Sequence, residues 1–237
     1  VTGSDILDDL SGRLGALGLR LRGGFGLVQD LDRDLLAHAP EAKTLVLVGN
    51  AGSELWQRSA DAIVAMGEPD PLDRWTQQIV TPLATAICGK ALFPSDGPPY
   101  WPFQRWAQRA EGVAPSPLGI LIHPQYGLWH AYRAAIVLPQ VLDLPPREPF
   151  SHPCDNCAEK PCLTTCPVDA FTGTRYEVDH CVRHVDATKS KSADCFQSGC
   201  QARRACPVGS SWRYQPDHAV FHMRAFLSAR LAALRES

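Results

Sequence analysis

Apolar residues at Ile6, Leu7, Leu10, Leu14 and Leu17, three and four apart behind Ser4-Asp5, predict an amphipathic helix near the start of the chain. Gly23-Gly24 is expected to break that pattern. Thr44 to Val48 is a short β-branched, apolar run closing on Gly49-Asn50, and it predicts a buried strand. A second helix should begin at Pro71 with Asp70 as its N-cap, carry Leu72, Trp75, Ile79, Leu83 and Ile87, and stop at Gly89. Residues 94 to 103 hold four prolines and a glycine among Tyr100, Trp101 and Phe103, an aromatic loop without regular structure. Ile120 to Ile122, a turn from His123 to Gly127, and Trp129 to Leu138 read as a β-hairpin. Pro139, Pro145, Pro146, Pro149 and Pro153 suggest a stiff, extended linker, and Phe221, Phe226, Leu227, Leu231 and Leu234 a closing helix.

Helices mixed with short strands and a hairpin indicate an α+β first domain. The chain has 237 residues, enough for two ordinary domains, expected at 1-148 and 149-237. Residues 1 to 150 carry a formal charge of −4 and residues 151 to 237 a formal +2. Neither half has the basic stripe expected of a nucleic-acid binder, so no nucleic-acid partner is expected. Arg183, Lys189, Lys191, Arg203 and Arg204 are either a solvated face or a docking patch for an acidic electron donor. No apolar run reaches membrane-span length, so no membrane partner is expected. Val1 to Leu10 lacks a basic n-region and an apolar h-region, and a cytoplasmic location follows as the expectation.

Eight of the nine cysteines fall between residues 154 and 206, in two groups that each close on Cys-Pro. The groups read Cys154-x2-Cys157-x4-Cys162-x3-Cys166-Pro and Cys181-x13-Cys195-x4-Cys200-x5-Cys206-Pro. This resembles a stretched bacterial ferredoxin run, in which thiolates hold two 4Fe-4S clusters and the cysteine before proline ligates the other cluster. By that rule Cys154, Cys157, Cys162 and Cys206 serve one cluster, and Cys166, Cys181, Cys195 and Cys200 the second. Four disulfides would need an oxidising compartment. Two structural zinc sites would need paired short spacings, which the second group lacks. Cys88, in an apolar stretch, reads as a buried inert thiol.

Asp70-Pro71-Leu72-Asp73, the block from Ile122 to Arg133, and Leu144 to Pro149 resemble, in order and spacing, the CblC family of intracellular vitamin B12-processing proteins. The resemblance implies a nitroreductase-like first domain, joined here to a small bacterial-ferredoxin-like second domain. It also implies a cavity for cobalamin with its lower base detached, and reductive removal of the upper ligand. A corrin is a broad, partly apolar disc edged with amides, which calls for aromatic walls and a few placed polar groups. Tyr126, Trp129, Tyr132, Phe103 and Trp106 are the candidate walls. His123 and Gln125 are the candidate polar contacts, with Gly127 in their turn. Each aromatic is equally readable as core, and His123 as a surface histidine or a cobalt ligand.

The cysteines depart from the CblC pattern, and the family's thiol-dependent dealkylation is not carried over. A cobalamin domain joined to a dicluster ferredoxin domain instead resembles epoxyqueuosine reductases and reductive dehalogenases. The resulting expectation is an enzyme, a cobalamin reductase fed by a low-potential donor (reductase, ferredoxin or flavodoxin), with no catalytic side chain named. The alternatives are a cobalamin-dependent reductase of an organic substrate, or a ferredoxin-type electron carrier whose first domain binds a flavin or a partner.

Overall fold

The computed structural model describes residues 3–147, 149–190 and 194–236, with side chains to residue 233. Glu148 and Lys191, used above in a motif and in a basic patch, lie outside the described residues, as does the side chain of Leu234. In chain order the elements begin with α1 (Gly3–Ala16), β1 (Arg20–Gly26), α2 (Arg33–His38), β2 (Thr44–Ala51), α3 (Glu54–Ala65) and α4 (Pro71–Ala86). They continue with β3 (Lys90–Leu92), α5 (Phe103–Ala110), β4 (Ala114–Pro115), β5 (Leu121–Ile122) and β6 (His130–Leu138). Short helices follow, α6 (Pro161–Thr164), α7 (Val178–Thr188), α8 (Cys195–Ser198) and α9 (Gln201–Ala205), then a 3-10 turn at Ser210–Trp212 and α10 (Pro216–Glu236). Among the described residues no helix is long and apolar enough to cross a membrane.

The chain divides into two units, Val1–Gly112 with His130–Pro149, and Val113–Trp129 with Phe150–Ser237. A single cut between 148 and 149 therefore misplaces residues 113–129, which cluster with the cysteine-bearing part. The reason is burial: Leu118, Ile122 and Leu128 share one apolar cluster with Cys162, Ala202 and Cys206.

The first unit is built on an antiparallel sheet of order β1-β2-β6-β3. Strand β2 is buried at every position, which is why its residues form a continuous apolar run without alternation. Helices α1 and α5 pack on β1, α3 on β2, and α4 on β3 and β6. Helix α1 buries Ile6, Leu10 and Leu14, the stripe anticipated from their spacing. Gly23-Gly24 does not end the pattern. It sits within β1 at a register shift, with Gly23 at φ +70°, so the pair makes a bulge and the strand continues.

Helix α4 starts at Pro71 as expected, but Asp70 takes φ +53° and its side chain makes no capping hydrogen bond. The aromatic loop is shorter than expected, because Phe103 opens α5 and buries there beside Trp106. The hairpin from 120 to 138 does not form. Strand β5 pairs with β4, whereas β6 pairs with β2 and β3 in the other unit. The proline-rich segment is partly fastened down: Thr44 Oγ1 donates to Gln140 O at 2.8 Å and accepts from Leu142 N at 3.2 Å. Cys88 is exposed, at φ +58°, because it lies in the turn after α4 and not on the helix.

In the second unit α10 packs on α7 and α8, and Leu227 joins Val182, Val185 and Cys195 in a small core. Gly127, at φ +58°, faces the backbone of Val208 so closely that a Cβ would stand 1.9 Å from the Val208 oxygen. Gly209, at φ +67°, meets the Tyr126 backbone in the same way. Two glycines thus allow two turns to interlock where any side chain would separate them.

Candidate functional site

All nine cysteines are free thiols. The eight between 154 and 206 lie in the second unit, carried by short helices and turns that the chain punctuates with proline and glycine. Burial pushes the Cys154 thiol up to about 11, and the charges of Cys206, Cys162 and Cys157 push the same way. Burial, then Cys206 and Cys157, raise Cys162, while Cys206 is raised by burial and by Cys157. These four form one mutually acting set. In the other, burial raises Cys195 to about 11, with Cys200 and Cys166 adding. Cys181 is raised by burial, Cys195 and Cys166, and Cys200 by burial, Cys181 and Cys166. The interactions run within each set of four.

Donors oppose this upward push. Backbone N–H groups of Leu163, Gln201, Arg203 and Val208 donate to Cys162, Cys195, Cys200 and Cys206, and the Tyr176 hydroxyl donates to Cys181. Ala170 N reaches Cys166 Sγ at 3.3 Å. Helix α8 is held in place by Asp194, whose side chain caps it by accepting from Phe196 N at 2.8 Å and Gln197 N at 3.0 Å. Among the described residues no group of three or more His, Cys, Asp and Glu side chains is arranged to hold a metal ion.

A half-buried cation stands beside the second set. The Arg203 guanidinium lies 4.3 Å from the Trp129 ring centre and 4.7 Å from that of Tyr214, and Nε donates to Leu128 O at 3.1 Å. Its charge lowers the Cys200 thiol against the push of burial. Tyr214 in turn stacks on His218 at 4.0 Å, and His218 Nε2 stands 3.1 Å from His222 Nε2. The sequence signal for this stack was weak, since an arginine between two aromatics that lie 85 positions apart is visible only in the fold.

The expected cobalamin contacts are distributed between the units. Trp129 is 2% exposed, with Arg203 over its ring and Tyr214 against it. Phe103 and Trp106 are likewise buried, inside the first unit. Gly127 is occupied by the Val208 contact. His123 organises its own turn, its Nδ1 accepting from Gln125 N at 3.0 Å and Tyr126 N at 3.2 Å, while its ring stacks on Tyr126 at 4.3 Å. Gln125 is exposed and Tyr126 half-buried.

Tyr132 belongs to a polar network at one end of the first unit's sheet that the sequence reading missed. Its hydroxyl donates to Glu111 Oε1 at 2.8 Å, and Glu111 pairs with Arg22 Nε at 3.0 Å. Arg22, 3% exposed, also reaches Asn50 O and His130 Nδ1, each at 3.3 Å. Burial holds the Tyr132 phenol well above its usual range, so it stays protonated and acts as a donor. Arg133 Nε donates to Asn50 Oδ1 at 3.0 Å, and Asn50 Nδ2 is buried without an acceptor among the described residues. Arg22 and Glu111 come from β1 and the turn after α5, outside the block the motif covered.

No family model and no curated protein matches this sequence. Solved structures do. The C. elegans B12-trafficking protein CblC, a human MMACHC homologue, aligns at 14% identity with a TM-score of 0.52, covering 94% of this chain and 92% of that one. An epoxyqueuosine reductase solved with an epoxyqueuosine-modified tRNA-Tyr stem loop aligns at 15% identity and TM-score 0.52, covering 92% of this chain and 69% of that one. A selenomethionine-labelled epoxyqueuosine reductase gives 15% and 0.51 over the same shares. At these identities the likeness is one of fold, a mixed helix-and-sheet arrangement shared with both kinds of protein.

Proposed function

We propose that this chain is an iron-sulfur reductase acting on cobalamin, removing its upper axial ligand. One observation carries the reading: eight free thiols stand in two sets of four within one unit, in a chain whose fold is that of a B12-trafficking protein and of a reductase. Cubane clusters held by those thiols would supply one-electron transfer at low potential.

The chain's own contribution is to set the environment of the sulfurs. Backbone donors on Cys162, Cys166, Cys195, Cys200 and Cys206 favour added negative charge there and so favour the reduced state. Arg203, half-buried between two aromatic rings, adds a fixed positive charge beside Cys200. Cobalamin enters as the substrate, and detachment of its lower base makes cobalt easier to reduce.

The test is to mix the anaerobically reconstituted protein with cob(III)alamin and a reductant. The expected result is a shift to a base-off spectrum followed by loss of the upper ligand. Unchanged corrin bands would instead support a plain electron carrier. The likeness to epoxyqueuosine reductase favours one second reading, in which cobalamin is retained while an organic substrate is reduced. Corrin that stays bound through repeated turnover would select it, because a processing protein must release its product.

A further inference from the structure

A shallow cleft of about 330 Å³ is lined by Thr165, Ser198, Gln201, Arg204, Ala205 and Arg213. These residues are chain neighbours of thiols from both sets. Thr165 precedes Cys166, Gln201 follows Cys200 and donates its N–H to Cys195, and Ala205 precedes Cys206. One patch of surface therefore adjoins, through the chain, thiols of both sets. Its lining holds no acid and two arginines. Arg204 Nη1 donates to Ser198 O at 3.2 Å and Arg213 Nη2 to Arg204 O at 2.7 Å, so carbonyls orient both guanidinium groups without neutralising them. Of the other basic residues picked out in the sequence, Lys189 pairs with Asp186, Arg203 is turned inward between its two rings, and Arg183 is exposed but does not line the cleft.

We infer that this cleft is the docking site of an acidic one-electron carrier protein, through which both thiol sets are charged. The inference rests on the reading that the thiols hold clusters. Per encounter one electron leaves the reduced carrier and is taken up at a cysteine-bound centre. The carrier is oxidised by one electron, the protein is reduced by one, and no bond is made or broken. One exposed charge, Arg213, and one half-buried charge, Arg204, over a small concavity suit a short acidic patch, and they act chiefly on the rate of encounter. The chain's net charge of −2 disfavours RNA as the occupant, since a backbone carrying one charge per nucleotide would need a longer basic track.

The experiment uses the full chain, reconstituted without oxygen, as wild type, R204Q/R213Q and R204K/R213K. Reduction is followed by stopped flow with flavodoxin hydroquinone and separately with dithionite, at several salt concentrations. The expected result is a fall of at least about tenfold in the flavodoxin rate at low salt for the glutamine variant, with loss of its salt dependence. Dithionite reduction should be far less affected, and the lysine variant should keep most of the flavodoxin rate. Unaltered flavodoxin rates, or equal losses with both reductants, would overturn the docking site. So would a glutamine variant that loses affinity for a tRNA stem loop while keeping its flavodoxin rate. Wild-type protein without iron would overturn the underlying reading instead, which separates the two failures.

Discussion

Strand β2 of the first unit is buried from Thr44 through Ala51, whereas two of the buried clusters of the second unit count cysteines among their members. Cys162 and Cys206 are packed with Leu118, Ile122 and Leu128, and Cys195 with Val182, Val185 and Leu227. The core of the first unit is built from apolar side chains. In the second, two small cores include thiols, and burial raises the Cys162, Cys206 and Cys195 thiols, which favours their protonated form. A group that exchanges those protons for bonds to iron converts the cost of burial into folding energy. On the proposed function, the comparison teaches that stability is distributed by chemistry: apolar in one unit, inorganic in the other.

The largest expected effect follows from stripping iron with a chelator under reducing conditions. Hydrogen exchange should rise steeply across 150–190 and 194–230 and also across 113–129, while β2 and β6 keep their protection. Uniform exchange in both units would break the contrast. Next in size, Leu47→Ala in β2 should cost about 3 kcal/mol in denaturant unfolding of the first unit, with iron content unchanged. Gly127→Ala should cost more than about 2 kcal/mol and fall on the second unit, because both the positive φ and the Val208 oxygen oppose the new methyl group. Gly119→Ala, equally left-handed at φ +77° but with open space around it, should cost about 1 kcal/mol. Arg13→Ala should change stability by no more than about 0.5 kcal/mol, since its pair with Asp9 is solvent-exposed on both sides.

What the sequence revealed divides along the same line. Helix α1 and strand β2 were legible because each owes its form to a local pattern, the helical spacing of Ile6, Leu10 and Leu14 or the unbroken apolar run from Leu45 to Val48. The hairpin failed because β5 pairs with β4 just before it while β6 pairs with β2 and β3 much earlier in the chain, and a turn signal carries no information about such competing pairs. Trp129 looked like a ligand wall because an aromatic on a strand end says nothing about what covers it. Arg203 does, and it arrives from 74 positions later. The network of Arg22, Glu111 and Tyr132 was hidden likewise, since three separate segments meet only at the end of the sheet.

Iron and acid-labile sulfide content of the protein purified without oxygen tests the central claim most directly, with wild type compared with Cys162→Ala and Cys195→Ala. The account expects about eight irons and eight sulfides per chain in the wild type, as two cubanes require, and about half of each in either variant. Stoichiometric zinc, thiols oxidised to disulfides in the freshly prepared protein, or iron unchanged in both variants would contradict it.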